Sequence, residues 1–410
     1  MEQNILLQVG FALGIIALAG LLSCRLRFSI VPLLILAGMV IGPHMPHIGV
    51  LDLRFIESAQ LINFMGSLGI LFLLFHLGLE FSVGRLMKAG RSITRGGTVY
   101  MAINLALGLL LPVLLGWPLK EILIVAGVTT ISSSAIVAKM IVDLKRSVRP
   151  ETEMILGLMM FQDIFVAIYL AVVSGLVLTG KTSTLGVLLS AGLALGFMLG
   201  LLFLGRRFLP QLNRLLDIPS DEVFMLLLFA ILTIVAGLSE AIHVAEAIGA
   251  LLVGLVLAET EHRERIEKIL VPFRDLFGAM FFFSFGLSID PLSLSGAVWP
   301  ALAAVALTLT GNYAAGMVAG RMSGYSHYAS NNIGLTITSR GEFSIILAKL
   351  ALAGGLLPIL QSFTALYVLI LAVLGPLLTK ESRWVYVNLS RIFQWPGLKE
   401  KRRHKVPEYI

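Results

Sequence analysis

Val128–Val137, VTTISSSAIV, lies inside an apolar run that extends from about 119 to 141. The run is long enough to cross a bilayer, which takes roughly 20 apolar residues. Its middle is nevertheless hydroxylated: Thr129, Thr130, Ser132, Ser133 and Ser134 crowd one and a half helical turns. Ser and Thr can return their hydroxyls to the preceding turn and so sit quietly in a packed helix. Alternatively the stretch is unwound, and its carbonyls and hydroxyls offer hard oxygen ligands to an alkali cation. No His or Cys accompanies them, which speaks against a transition-metal site.

A second interrupted run strengthens the unwound reading. TITSRGEFSII, Thr336–Ile346, breaks the apolar pattern in the same way, and Thr130 matches Thr338 at an offset of 208. At that offset LFLLFHLGLEFS (71–82) also aligns with MFFFSFGLSIDP (280–291), Gly78 on Gly286. PLLILAGMVIG near 32–42 and AIGALLVGLVLA near 247–258 match more weakly. If each pair lies an odd number of spans apart, the copies run in opposite directions. Inverted repeats of this kind are the architecture of secondary transporters, with sites near the midplane where discontinuous helices meet.

The composition requires a membrane setting. Of 410 residues, 57% are hydrophobic and 13% charged, about half the charge of a soluble domain. Thirteen spans are expected, among them the second (29–43), third (57–79), fifth (119–141), sixth (153–178), eighth (220–240), ninth (243–259), tenth (271–289), eleventh (292–320) and twelfth (328–352). The split between the eighth and ninth falls at Ser239–His243. The repeats cover about 1–180 and 220–380, joined by a linker helix near 184–208, and 381–410 is a basic tail. Loops after odd-numbered spans, together with that tail, carry twenty-six Lys and Arg; the other side carries only Arg54, Lys120 and Lys181. By the positive-inside rule the N-terminus lies outside and the C-terminus in the cytoplasm. The net charge of +7 is then topology, and nucleic acid is not an expected partner. One cysteine, Cys24, permits no internal disulfide. The first apolar run has no cleavage pattern and should remain as a span.

Asp163 stands in LMMFQDIFVAI, 158–168. It lies ten residues beyond Glu153, about 15 Å along a helix, where a carboxylate costs roughly 2.5–3.5 kcal/mol to insert. It is either a structural acid with a basic partner or a site for protons, cations or both. Arg340 and Glu342 flank Gly341 in the twelfth span; they either neutralise each other or compensate helix ends, a structural role in both cases. Asn312 in the eleventh span is expected in a helix–helix hydrogen bond. His76 is expected as a core imidazole, Glu80 as a solvated helix end, and Glu246 as an acid at a helix N-terminus.

Six segments carry a family resemblance: VPLLILAGMVIGP (31–43), LFLLFHLGLE (71–80), TTISSSAIVAK (129–139), FQDI (161–164), FFFSFGLSID (281–290) and SRGEFSIIL (339–347). In this order they resemble the monovalent cation:proton antiporter-2 family, which includes Kef-type potassium/proton and related sodium/proton antiporters. The resemblance implies an all-α polytopic fold of about thirteen helices, with a dimerisation domain and a core domain holding two crossing discontinuous helices, here the fifth and twelfth spans. It places the ion-binding acid on Asp163. It makes Gln162 the position where electrogenic relatives carry a second acid, as in potassium-type and electroneutral members. Many relatives have a Lys or Arg near the position of Asn312, which carries no charge here. Kef-type proteins commonly continue into a cytoplasmic nucleotide-binding domain; 381–410 is too short for one, so a separate regulatory subunit is the corresponding expectation.

The expected function is exchange of a monovalent cation, potassium before sodium, for a proton at Asp163, which also serves as the alkali-cation site. Desolvation favours the neutral acid and a nearby cation favours the carboxylate, so the two compete. One carboxylate gives a one-for-one, electroneutral exchange. No cofactor and no enzymatic activity are expected; an aspartyl protease would need two facing acids. The expected setting is a multi-pass homodimer in a prokaryotic inner membrane. A cation channel would need a continuous polar pathway, and a sodium-coupled organic-anion symporter would need binding-site cations beyond Arg340.

Overall fold

The computed structural model describes residues 5–26, 29–45, 60–80, 90–178, 192, 196–197, 199–201, 203–241 and 245–392. The seventh expected span, near 184–208, falls largely outside them, as do Arg27, Arg54, Lys181, His243 and the tail beyond 392.

The described residues are helical and contain no strand. Their helices are α1 (Ile5–Leu26), α2 (Ile30–Ile41), α3 (Gln60–Glu80), α4 (Gly90–Leu114), α5 (Leu119–Thr130), α6 (Ser134–Asp143), α7 (Pro150–Leu178), α8 (Leu209–Leu216), α9 (Asp221–Ala241), α10 (Glu246–Leu257), α11 (Arg263–Leu287), α12 (Leu294–Met322), α13 (His327–Thr336), α14 (Glu342–Ala353), α15 (Ile359–Lys380) and α16 (Ser382–Ile392). Eight are long and apolar enough to cross a membrane, and α2 and α10 are shorter apolar helices. The fifth expected span is α5 plus α6, and the twelfth is α13 plus α14. The eighth and ninth separate after Ala241, close to the expected split.

Two helices lie outside the expected spans. Leu209–Leu216 forms a short helix, because LPQLNRLL places its leucines along one side and Pro210 in the first turn, where proline is tolerated. The tail is not wholly irregular either. It opens with α16, which is fastened to the core: Arg146 donates to the Thr379 carbonyl at 2.6 Å and to Ser382 Oγ at 3.1 Å. Asn331 donates to the Ser382 carbonyl at 3.0 Å.

The helices pack into two bundles. A panel is built from α1, α2, α3, α9, α10 and α11, and a core from α4–α7 and α12–α16. The boundary is crossed where α2 meets α15 and where α10 meets α7. Lipid tails are as apolar as Leu, so helices within a membrane associate by close packing, which small residues permit. In the panel, Gly38 of α2 lies on Gly286 of α11, and Gly254 of α10 lies on Gly78 of α3; a Cβ at Gly38 or Gly254 would sit 2.2 Å from a backbone oxygen. In the core, Gly108 of α4 lies against Ala126 of α5, and Gly316 of α12 against Gly334 of α13. Gly108 and Gly316 are 208 residues apart, and so are Ala126 and Gly334.

Candidate functional site

The site begins with the two breaks. Helix ends within a bilayer leave carbonyls and amides that water cannot satisfy, so the protein must supply their partners. α5 stops at Thr130 and α6 starts at Ser134; α13 stops at Thr336 and α14 starts at Glu342. The breaks are partners of one another. Ser133 donates its backbone N–H to the Ser339 carbonyl at 2.9 Å. Ser132 Oγ donates to the Ile337 carbonyl at 2.8 Å, and Ser344 Oγ to the Val128 carbonyl at 2.8 Å. Gly341 is required by this approach, since a Cβ there would lie 2.7 Å from Ser133 Oγ.

The carbonyl ends are neutralised by one group. Arg340 is fully buried. Its Nε and Nη2 donate to the Thr129 carbonyl at 3.1 and 2.7 Å. Its Nη1 lies 3.1 Å from both Ser132 Oγ and the Thr338 carbonyl and 3.2 Å from the Ile337 carbonyl. The guanidinium therefore sits at the negative dipole ends of both α5 and α13, and of the two roles open to it from sequence it takes helix-end compensation. Tyr367 adds a hydroxyl to the Thr129 carbonyl at 3.3 Å and pairs with Thr308 at 2.7 Å.

The amide ends hold the acids. Glu342 lies in the first turn of α14 and accepts from Ser133 Oγ at 2.8 Å. Asp163, partly buried on α7, accepts from Ser134 Oγ in the first turn of α6 at 3.3 Å. Consecutive serines thus bring Asp163 and Glu342 together, both at positive helix ends, where anions are favoured. Gln162, buried, accepts the Ser132 N–H at 3.0 Å and fixes α7 to the break. Its Nε2 has no partner among the described residues.

The other candidates divide clearly. Thr129 and Thr130 belong to α5, and their hydroxyls return to the Val125 and Ala126 carbonyls at 2.8 and 2.6 Å; they contribute helix packing and the Thr129 carbonyl. Asn312 is buried and accepts from the Tyr100 hydroxyl, joining α12 to α4. His76 contacts Arg274 and lies 3.1 Å from Glu80, whose side chain is mostly exposed. Glu246 is in the first turn of α10. Two groups escaped the sequence reading. Tyr100 is a buried tyrosine with nothing in its neighbours to single it out. Lys349, by contrast, interrupts FSIILAKLALA as plainly as Asp163 interrupts its own helix.

Chemically, the meeting point offers two carboxylates and the hydroxyls of two serines beside a fixed guanidinium. Arg340 is taken up by the helix ends, and Asp163 and Glu342 are held by serine hydroxyls.

Comparison with known proteins identifies the family and the fold. Residues 13–380 match the family described as "Sodium/hydrogen exchanger, transmembrane". The chain is 60% identical over 393 residues to the K(+)/H(+) antiporter subunit KhtU of Bacillus subtilis, covering 96% of this chain and 97% of that one. It is 30% identical to the ammonium/H(+) antiporter subunit AmhT of Alkalihalophilus pseudofirmus, covering 91% and 92%. Among solved structures, the sodium proton antiporter MjNhaP1 of Methanocaldococcus jannaschii superposes with a TM-score of 0.65 at 18% identity, covering 93% of this chain and 98% of that one. The last likeness establishes the antiporter fold. With the site at the meeting of its broken helices, this chain belongs to the transmembrane sodium/hydrogen exchanger family.

Proposed function

We propose that the chain is a secondary active antiporter that exchanges one potassium ion for one proton, with Asp163 as the group both compete for. The observation that carries this is the placement of Asp163: a mid-membrane carboxylate beside the paired helix breaks, held by the Ser134 hydroxyl and with no basic side-chain partner among the described residues. Protonated, the acid is neutral and donates; ionised, it offers a hard oxygen to a cation whose remaining ligands come from nearby hydroxyls. Ser133 and Ser134 are the nearest hydroxyls with access to both acids. The proton-loaded and the cation-loaded carboxylate carry the same charge, so one-for-one exchange is electroneutral. Gln162 and Asn312 add no charge to change this.

Potassium is favoured over sodium by Gln162 and by the name of the relative at 60% identity. Two relatives are named as subunits, which supports a separate cytoplasmic partner polypeptide. The equal offsets of Gly108 to Gly316 and Ala126 to Gly334 support two inverted repeats, across about 1–180 and 220–380, joined by a linker near 184–208. Alternating access then moves the core against the panel. The asymmetry of Lys and Arg between the two sets of loops supports an N-terminus outside and a C-terminus in the cytoplasm. The panel is the surface we assign to the homodimer, in a bacterial inner membrane.

The test is dissipation of an imposed pH gradient in reconstituted vesicles, with potassium, sodium and ammonium added in turn. Potassium is expected to dissipate it and Asp163→Asn to abolish the response. Exchange that survives Asp163→Asn removes the assignment, and currents far above carrier turnover would make the protein a channel.

A further inference from the structure

Lys349 is a half-buried charged group on the second half of a broken helix, and the exchange at Asp163 makes no use of it. It stands on α14 seven residues beyond Glu342. With Ile346 between them, these positions recur at the i, i+4, i+7 spacing of one helical face. Lys349 is therefore about 10 Å further along the same face from the site, toward the end of α14 that leads to the loop before α15. An amine at this depth is expensive, and such groups face protein partners that can be named.

Its partners belong to the other bundle. The ammonium lies 4.9 Å from the centroid of the Phe281 ring on α11. It also interacts electrostatically with Glu246, in the first turn of α10, which is flanked in turn by Glu240. The helices that pack on α14 are α5, α7 and α15, all of the core. The Lys349 side chain reaches across the boundary to the Phe281 ring. Phe281 and Glu246 lie at the ends of α11 and α10 opposite to the Arg-rich connections, on the side assigned to the exterior.

We propose that Lys349 is a latch: by docking on the Phe281 ring of the panel, with Glu246 close enough to favour the ammonium, it holds the outer path to Asp163 shut while the site faces the cytoplasm. It is a positioning residue, since it sits about two turns from the site and acts by tying the core to the panel. Moving the core outward must draw the ammonium off the ring and away from the acid. The latch thus biases the access equilibrium by its differential contacts in the two states. The proposal rests on the alternating-access reading of Asp163, and its readout is independent of transport.

The test uses the full chain in intact cells, with the native Cys24 replaced by Ser and a reporter cysteine at Ile346, which is buried between latch and site. A membrane-impermeant maleimide is applied from outside. Lys349→Met is expected to raise the labelling rate about fivefold, the scale of a lost cation–π contact at a partly exposed site. Lys349→Arg, which keeps the cation, is expected to label at the parental rate. Glu246→Gln and Phe281→Leu are expected to move the rate in the same direction by about twofold to threefold. Parental labelling in a folded Lys349→Met protein, or equal acceleration by Lys349→Arg, would overturn the latch. If Lys349→Met fails to reach the membrane, parental rates in both panel variants overturn it instead. Altered labelling in a protein whose exchange persists after Asp163→Asn would sink the site assignment and leave the latch standing.

Discussion

Asp163 and Arg340 both place charge inside the membrane, and their surroundings give them opposite behaviour. Arg340 is enclosed by backbone carbonyls that need a donor at every stage, so its charge is fixed. Each buried carbonyl left without a partner costs about 1–3 kcal/mol. Arg340→Gln removes the guanidinium from the Thr338 carbonyl and leaves Thr129 and Ile337 only the Tyr367 and Ser132 hydroxyls, and is expected to cost about 1–3 kcal/mol. A thermal-unfolding series in detergent would detect it; an unchanged midpoint would contradict the capping role. Asp163 is held by the Ser134 hydroxyl at 3.3 Å, so its proton can be exchanged for a cation. If proton and potassium compete for this carboxylate alone, raising the pH by one unit in the proton-limited range should lower the apparent KM for potassium about tenfold, with kcat little changed. Initial-rate measurements across pH decide this, and a pH-independent KM would exclude the shared site. Asp163 was legible from sequence because an acid in an apolar run is conspicuous. The direction of Arg340 was not, because RGE could equally have paired with itself.

At the scale of elements, the half-helices meet only because neighbours have surrendered side chains. A Cβ on Gly316 would fall 2.2 Å from the Gly334 Cα, with rigid backbone on both sides. Gly316→Ala is therefore expected to cost about 1–3 kcal/mol and to depress exchange by displacing α13 from α12. Gly14, with nothing within reach of an added Cβ, supplies the control: Gly14→Ala should leave stability and exchange as they were. Ser133 serves α6 in a second way, as its N-cap to the Ile136 N–H at 3.4 Å. Ser133→Ala should lose about 1 kcal/mol of cap stabilisation and remove a donor from Glu342. Potassium affinity should fall while the fold persists, and unaltered affinity would remove Glu342 and Ser133 from the site. That the runs break was visible in the sequence. Where each half begins was not: Thr129 and Thr130 read like Ser132–Ser134 but stay helical, because their hydroxyls find carbonyls one turn back.

For the whole molecule, one-for-one exchange at the Asp163 carboxylate makes a prediction of its own. A potential of 100 mV is worth about 2.3 kcal/mol for each net charge moved, roughly a fifty-fold bias. Electroneutral exchange should ignore it, so the rate of gradient dissipation in vesicles held at zero and at 100 mV should agree within error; a strong dependence would require a second mobile charge. The sequence alone determined that this is a helical membrane protein with two interrupted spans and an acid at mid-depth. Those properties follow from hydropathy and from the cost of burying polar groups, and both are local. Pattern could not show that consecutive serines bring Asp163 and Glu342 together, that Arg340 turns to two helix ends, or that Lys349 reaches across to Phe281. These contacts join residues some 30 to 210 positions apart, or different bundles. Only the tertiary structure decides them, because a buried charge takes whatever partner the packing of distant helices delivers.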